Sequence, residues 1–213
     1  MRYMTVSISL LVLTAALGTA TSVNGAMSKE TIRAEWPEMD FTMAYDSFSK
    51  GDMRTTADEI RKGSQFFKRA EERSSGKIRN DLEGSYQELQ KLSAGIEQGT
   101  VKSPKQLKRT FAHAHLALAE YYRKRLEESW LAKETERAGH DLDAAARNLE
   151  RGLGWMGQQV KKETSTAIKD AHAISRKLIE GLRWASQEVE KGIKEIGAEI
   201  SILRKRMEKG ENE

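Results

Sequence analysis

The stretch that decides the fold runs from residue 103 to residue 130 and reads SPKQLKRTFAHAHLALAEYYRKRLEESW. Ser103 is a preferred helix-capping residue, and Pro104 at the first helical position has no backbone N–H to leave unsatisfied. Behind this start, apolar residues recur at steps of four and three, which places them on one side of an α-helix. The stretch therefore predicts a long amphipathic helix whose buried face consists of Leu107, Phe111, Ala114, Leu118, Tyr121, Tyr122, Leu126 and Trp130.

Most of the chain after residue 26 has the same character. Ala, Glu, Lys, Arg, Leu and Gln dominate, and these residues favour helix, whereas β-branched runs of alternating polarity are missing. Gly51 followed by Asp52 predicts a helix end and a new helix start, and Ser74-Ser75-Gly76 predicts a second break. The helices predicted before the decisive stretch cover residues 39–49, 53–73 and 77–98.

The helix that begins at Pro104 is expected to end at Ala138-Gly139. A fifth helical segment follows, in which apolar residues recur at the alternating four–three spacing of a coiled-coil heptad. These residues are Leu142, Ala146, Leu149, Leu153, Met156 and Val160.

Residues 171–200 carry an internal repeat of eleven residues. Eleven residues make almost three helical turns, so the apolar stripe stays nearly straight, and the repeat predicts one helix from residue 171 to Met207, roughly 50 Å long. Gly181 and Gly192, beside the stripe, are expected to permit close contact between helices. The three repeated triplets are Ala171, Ile174, Leu178; Leu182, Ala185, Val189; and Ile193, Ile196, Ile200.

Three interpretations of this stripe are open. It is a core face if the last helix belongs to an antiparallel bundle, because the earlier helices also have stripes that need partners. Its period is similar to that of apolipoprotein-like and dehydration-protein repeats, so a second interpretation is a face that binds a membrane surface. Several glutamates lie among its basic residues, which weakens this interpretation. It is a self-association face if it forms a coiled coil. We expect the first: an all-α antiparallel bundle of four to six helices with a long C-terminal helix carrying the 11-residue repeat.

The region around residue 50 resembles the turn of a tetratricopeptide hairpin. The resemblance rests on Phe48, the Gly51-Asp52 corner and Ala57, whereas Tyr45 and Arg61 depart from the pattern. One copy is visible, and a solenoid needs about three. The resemblance implies a helical hairpin, and no binding residue is assigned from it.

Residues 1–26 have the composition of a secretory signal peptide. Arg2 is followed by an apolar stretch over residues 4–17 and then by small residues, with cleavage expected near Gly25 or Ala26. The stretch is shorter than the ~20 apolar residues of a membrane-spanning helix. We therefore expect an exported protein, located in a bacterial periplasm or secreted. The rest is expected to divide into a flexible lead (27–38), a helical bundle domain (39–208) and a polar tail (209–213).

Composition excludes several classes of function. The 213 residues include no cysteine, which rules out disulfides, Cys-ligated zinc, iron–sulfur clusters and a thiol nucleophile. The 36 basic and 32 acidic residues give a net charge of +4, too balanced for charge-driven binding of nucleic acid. We expect a protein partner or self-association, with membrane-surface contact as the alternative and no nucleic acid.

Residues with catalytic or metal-binding chemistry do not form a recognisable pattern. His113 and His115 point about 200° apart on a helix and cannot bind one metal together, and neither follows a Glu by three residues as a di-iron bundle site requires. The sequence has no nucleophile elbow, phosphate loop or dinucleotide fingerprint. We therefore predict no metal, no cofactor and no enzyme. His115 is expected to be a partly buried, hydrogen-bonded histidine, or a ligand or partner contact.

Tryptophans and a C-terminal basic group are the candidate contact residues. Trp130, Trp155 and Trp184 fall on successive helical segments and are expected in the core, or, for the first two, around a ligand pocket between helices. Trp36 is expected to dock on the bundle or contact a partner. The basic group either complements a helix end or contacts an anionic surface, and consists of Arg204, Lys205, Arg206 and Lys209.

Together these observations predict an exported, non-catalytic helical protein with a periplasmic interaction, scaffold or stress-protective role. The alternative is a lipid- or small-ligand-binding amphipathic helical protein that acts at a membrane surface.

Overall fold

The computed structural model describes residues 37–157 and 161–210, and the regular secondary structure of these residues is α-helix without any strand. The all-α prediction is confirmed, but the described residues hold seven helices instead of four to six. The predicted signal peptide and all but the last two residues of the predicted lead lie outside the described residues. The helices are α1 (Glu38–Ser49), α2 (Met53–Glu72), α3 (Gly76–Glu97), α4 (Pro104–Leu131), α5 (Thr135–Trp155), α6 (Lys162–Ile179) and α7 (Ser186–Gly210).

Local capping fixes two of the helix boundaries read from the sequence. Gly51 has the left-handed φ of 78° that ends α1, and the Asp52 carboxylate accepts a hydrogen bond from the N–H of Thr55 (3.0 Å) in the first turn of α2. At the start of α4, the Ser103 hydroxyl accepts a hydrogen bond from the N–H of Lys105 (3.2 Å). These predicted boundaries are confirmed. At each of them a side chain accepts a hydrogen bond from a backbone N–H that has no partner within the helix.

The predicted end of α4 at Ala138-Gly139 is wrong. α4 ends at Leu131, and Lys133, with a φ of 61°, turns the chain into α5. Gly139 lies inside α5, where a Cβ would come within 2.9 Å of the backbone carbonyl of Ser175 on α6. This glycine therefore marks a close approach of two helices rather than a helix end.

The predicted single helix from residue 171 to Met207 is also wrong. Gly181 takes a φ of 64°, and the N–H of Leu182 donates to the carbonyl of Lys177 (2.8 Å), which is the hydrogen bond of a Schellman helix end. The middle triplet of the repeat therefore falls largely in the α6–α7 connection. Leu182 and Ala185 are exposed there, so the stripe is interrupted.

Within α7 the buried residues follow a heptad spacing. They lie seven, four, three and four residues apart, which gives a single face that packs on α4, α5 and α6. Gly192 permits close contact as expected, since a Cβ there would lie 2.7 Å from the side chain of Ile174. The buried residues of this face are Val189, Ile196, Ile200, Leu203 and Met207.

Consecutive helices pack side by side and run antiparallel. On α2 and α3, for example, Arg61 lies 2.9 Å from Glu97 while Gln90 donates to Ser64, so the chain directions are opposite. Three further contacts join helices that are not consecutive: α7 packs on α4 and on α5, and α1 packs on α4. α4 is therefore the helix around which the bundle is built.

An aromatic cluster fills the core between α1, α2 and α4. The rings of Phe41 and Phe111 stack with centroids 4.4 Å apart, and Phe67 lies 6.4 Å from Phe41. Gly63 makes room for this packing, since a Cβ there would come within 2.8 Å of the Phe41 ring. The cluster holds α1 against α4.

Candidate interaction surfaces

His115 is hydrogen-bonded on the buried side of α4, as predicted, but it lies deeper in the core than the expected partial burial. The imidazole is fully buried, and its Nδ1 lies 2.9 Å from the side-chain oxygen of Asn148 on α5. Asn148 donates its amide to the carbonyl of Ala144 (2.8 Å), so its oxygen is placed to accept from Nδ1–H. The Nε2 lies 2.7 Å from Oε2 of Glu38 on α1, without the alignment of a good hydrogen bond.

The Glu38 carboxylate on α1 makes polar contacts with side chains of both α4 and α5. The Trp155 indole N–H donates to its Oε2 (3.5 Å), and Arg151 Nε lies 3.9 Å away. Burial raises the pKa of Glu38, but the contacts with His115, Arg151 and Trp155 outweigh burial and hold that pKa below its ordinary value of 4.5. The cluster therefore stabilises a charged carboxylate and tethers three helices.

The structure separates the predicted tryptophan contacts into two places. Trp155 packs where α1, α4 and α5 meet, with its ring centroid 5.1 Å from Phe111 and 5.6 Å from Tyr45. Trp130 follows Phe111 by nineteen residues along α4, a distance of about 28 Å. Trp130 and Trp155 are therefore not brought together around one pocket. Trp36 lies outside the described residues.

Trp130 instead meets Trp184 of the α6–α7 connection, with ring centroids 5.3 Å apart and planes at 63°. Their sequence neighbours Leu131 and Leu182 are 82% and 49% exposed. We call these four residues the end patch. Exposed apolar groups gathered at one place are typical of a surface that another molecule covers.

The C-terminal basic group does not form one free surface. The Arg204 guanidinium lies 3.1 Å from Asp81 on α3 and 3.4 Å from Glu120 on α4, so it joins α7 to the bundle. The other three members are exposed or half-buried: Lys205, Arg206 and Lys209.

A groove of about 270 Å³ runs between α3, α4 and α7 beside Arg204. Leu116, Ala117 and Met207 contribute apolar surface, and Asp81, Glu88 and Glu208 contribute carboxylates. The mixture of apolar and charged groups suits a small ligand that has both characters.

A second depression, of about 460 Å³, is lined by residues of α6 alone. Ala173 contributes its small side chain, and four basic residues surround it; we call them the cationic ring: Lys169, His172, Arg176 and Lys177. His172 Nδ1 lies 2.8 Å from one oxygen of Asp143, whose other oxygen accepts from Arg147 Nε (2.6 Å). Burial raises the pKa of Asp143, but the contacts with His172 and Arg147 hold it below 3.8.

Sequence reasoning missed both this ring and a buried ion pair between α4 and α5. Asp141 is 2% exposed, accepts a hydrogen bond from the Ser129 hydroxyl (2.9 Å) and lies 3.0 Å from Arg125. Burial raises the pKa of Asp141 above 3.8 in spite of the Arg125 charge. The seven-residue step from Lys169 to Arg176 is a signal that the sequence did contain, whereas the partner of Asp141 had no sequence signal.

Among the described residues, no group of three or more His, Asp or Glu side chains could hold a metal ion. No helix in the same part of the chain is long and apolar enough to cross a membrane. Comparisons with protein-family models, curated proteins and solved structures give no match. The chemistry of the surfaces themselves is therefore the basis for the function.

Proposed function

We propose that this chain is an exported, non-catalytic helical protein that acts by contact with another macromolecule, in a periplasmic or secreted interaction, scaffold or stress-protective role. The observation that carries the proposal is the end patch. Leu131 is 82% exposed next to a tryptophan that is itself packed, so the patch is apolar and held in place. Covering such a leucine stabilises a complex by about 1.5–3 kcal/mol.

The organisation of the polar groups supports a role in contact rather than catalysis. His115, His172, Asp141 and Asp143 each have partners on a neighbouring helix. Their hydrogen bonds and ion pairs join one helix to the next, as expected for groups that stabilise a scaffold.

A lipid- or small-ligand-binding protein at a membrane surface is the second candidate. The groove between α3, α4 and α7 favours a small ligand, because it offers apolar surface and carboxylates within about 270 Å³. The cationic ring favours an anionic surface.

Site-specific photo-crosslinking in the producing cell tests the proposal. Leu131 is replaced by p-benzoylphenylalanine, and the exposed Gln65 on α2 is replaced in a control chain. We expect a defined adduct from position 131 that is absent from position 65. Equal, diffuse labelling from both positions would contradict the contact role.

Export is tested separately. Fractionation of the same cells, with the N-terminal residue identified by mass spectrometry, is expected to find the chain outside the cytoplasm and to start near residue 26 or 27. An intact Met1 in the cytoplasm would contradict export without affecting the crosslinking result.

A further inference from the structure

The cationic ring contains two charges that the bundle does not use. Lys177 Nζ lies 2.5 Å from Glu188, and His172 is bonded to Asp143. The charged groups of Lys169 and Arg176, by contrast, are exposed and have no ion pair or hydrogen bond with another described residue. These two cations are available to an anion from outside.

The two cations belong to a longer stripe. Lys162, Lys169 and Arg176 recur every seven residues, so they share one side of α6 with about 10 Å between successive positions. Lys162 is also exposed and unpaired within the described part of the chain. The acidic Glu163 and Asp170 lie about 100° further round the helix. One side of α6 therefore carries these three cations, and the exposed Glu180 lies on the same side directly after the last turn.

The end patch adjoins this stripe at the end of α6. Leu182 follows α6, and its N–H is bonded to the carbonyl of Lys177. Two cations that have no ion pair among the described residues, Lys133 and Arg183, flank the two exposed leucines in sequence. Exposed leucines beside free cations match the two layers of a bilayer surface, which are acyl chains and phosphates.

We infer that the cationic side of α6 and the end patch form a docking surface for an anionic phospholipid bilayer. The inference rests on the second candidate of the proposed function, contact with a membrane surface, because it names the lipid that the end patch would meet. Lipid phosphates occupy the cationic ring and the stripe, and Leu131 and Leu182 enter the outer acyl region. A soluble anion would use the charges alone, whereas this surface offers charges and apolar side chains together.

Co-sedimentation with vesicles tests the docking surface. The chain is purified as the cell produces it and is mixed with vesicles of phosphatidylcholine alone or of phosphatidylcholine with phosphatidylglycerol. The charge variant is K169Q/R176Q, and its matched control is K68Q/K91Q, which removes two exposed, unpaired cations from α2 and α3. The apolar variant is L131Q/L182Q. Circular dichroism verifies that every variant keeps its helix content.

We expect binding only to the anionic vesicles, and we expect it to weaken as salt is added. Each cation near an anionic surface strengthens binding about fivefold. The charge variant lacks two cations and should therefore bind roughly 25-fold more weakly. The apolar variant should bind roughly tenfold or more weakly. The control should bind like the unchanged chain. Equal binding to both vesicle types, or equal loss in the charge variant and its control, would overturn the inference.

Inorganic phosphate, titrated at constant ionic strength, separates a lipid from a soluble anion. Binding of phosphate without binding of vesicles would overturn the bilayer as the partner. A defined protein adduct from position 131, together with no vesicle binding, would overturn the inference and leave the proposed contact role standing. Diffuse crosslinking together with vesicle binding that depends on Leu131 would contradict the proposed contact with a macromolecule and leave the membrane-surface candidate standing.

Discussion

Glu38 is the residue through which the short helix α1 is fastened by polar contacts. Its carboxylate meets His115 from α4 and both Trp155 and Arg151 from α5. Aromatic stacking of Phe41 holds the same helix, but stacking tolerates sliding more readily than a charged contact does. Glu38 therefore fixes where α1 sits along α4.

Glu38→Gln tests this fastening. The variant keeps the shape but removes the negative charge opposite the buried His115, so we expect the free energy of unfolding at neutral pH to fall by about 1–2 kcal/mol. Urea unfolding gives this value. Glu72→Gln, at an exposed glutamate without a partner in the described chain, is the control and should change little. A loss no larger than the control's would mean that the carboxylate does not fasten α1.

The pH dependence of that loss has a defined sign. Because the folded pKa of Glu38 lies below 4.5, its charge stabilises the fold above the unfolded pKa, and this contribution is lost as the pH falls through the folded pKa. The difference between the unchanged chain and Glu38→Gln should therefore shrink towards zero below pH 4.5. Urea titrations across this range measure it, and a difference that stays constant would contradict the shift.

Single residues differ in how far sequence could predict them. His115 could be placed on the buried side of α4 because it shares that side with Phe111 and Leu118, although only partial burial was predicted. Its partners Glu38 and Asn148 could not be found, because they come from other helices, 77 and 33 residues away. The lateral position of two helices decides such a pair, and helical periodicity contains no information about it.

At the scale of the helix, glycines inside helices differ in how closely the neighbouring groups approach them. Gly139 is interior to α5, where a Cβ would meet Ser175 O, Leu178 Cβ and Ile179 Cγ1, each at 2.9 Å. Gly84 is interior to α3 with open space around its Cα. The same substitution should therefore have opposite effects at the two positions.

Gly139→Ala is expected to lower the free energy of unfolding by about 1–3 kcal/mol, because the methyl group meets backbone and pushes α5 from α6. Gly84→Ala should raise it by about 0.5–1 kcal/mol, since alanine favours helix and nothing obstructs its methyl group. Thermal or urea unfolding measures both. A stabilised Gly139→Ala variant would mean that α5 and α6 are not held at this distance.

The interrupted last helix has a comparable explanation. Apolar spacing predicted that residues 171–207 share a stripe, but spacing does not distinguish a continuous helix from two helices joined by a tight turn. Gly181 supplies the left-handed backbone that ends α6, and Leu182 closes that end with its N–H. Gly51 was recognised as a helix end because Asp52 caps the next helix at once, whereas α7 begins five residues after Gly181.

At the scale of the whole molecule, we expect one cooperative unfolding transition. α4 contacts α1, α3, α5 and α7, so no helix pair is independent of it. Helix content followed by circular dichroism and tryptophan fluorescence should therefore change at the same urea concentration, in buffer without lipid. Two separate midpoints would show that the end near Trp184 opens before the core around Trp155.

Only part of the proposed function and of its candidate surface could be predicted from the sequence. The predicted signal peptide and the absence of catalytic motifs pointed to an exported contact protein. The end patch could not be foreseen, because Trp130 and Trp184 are 54 residues apart and each alone resembles a core residue. Exposure of Leu131 and Leu182 depends on where the two helix ends fall, and those were the boundaries that sequence predicted least well.

The pairing of sequence neighbours also bears on how quickly the chain acquires its structure. Each helix packs on the next one along the chain, which gives a low contact order and favours rapid folding. The exceptions are α1, where Glu38 meets Trp155 across 117 residues, and α7, where Arg204 reaches Glu120 across 84 residues. Contacts between residues so far apart cost more loop-closure entropy than contacts between consecutive helices. α7 is synthesised after the six described helices that precede it, so a chain interrupted before α7 would lack the contacts that α7 makes with α4.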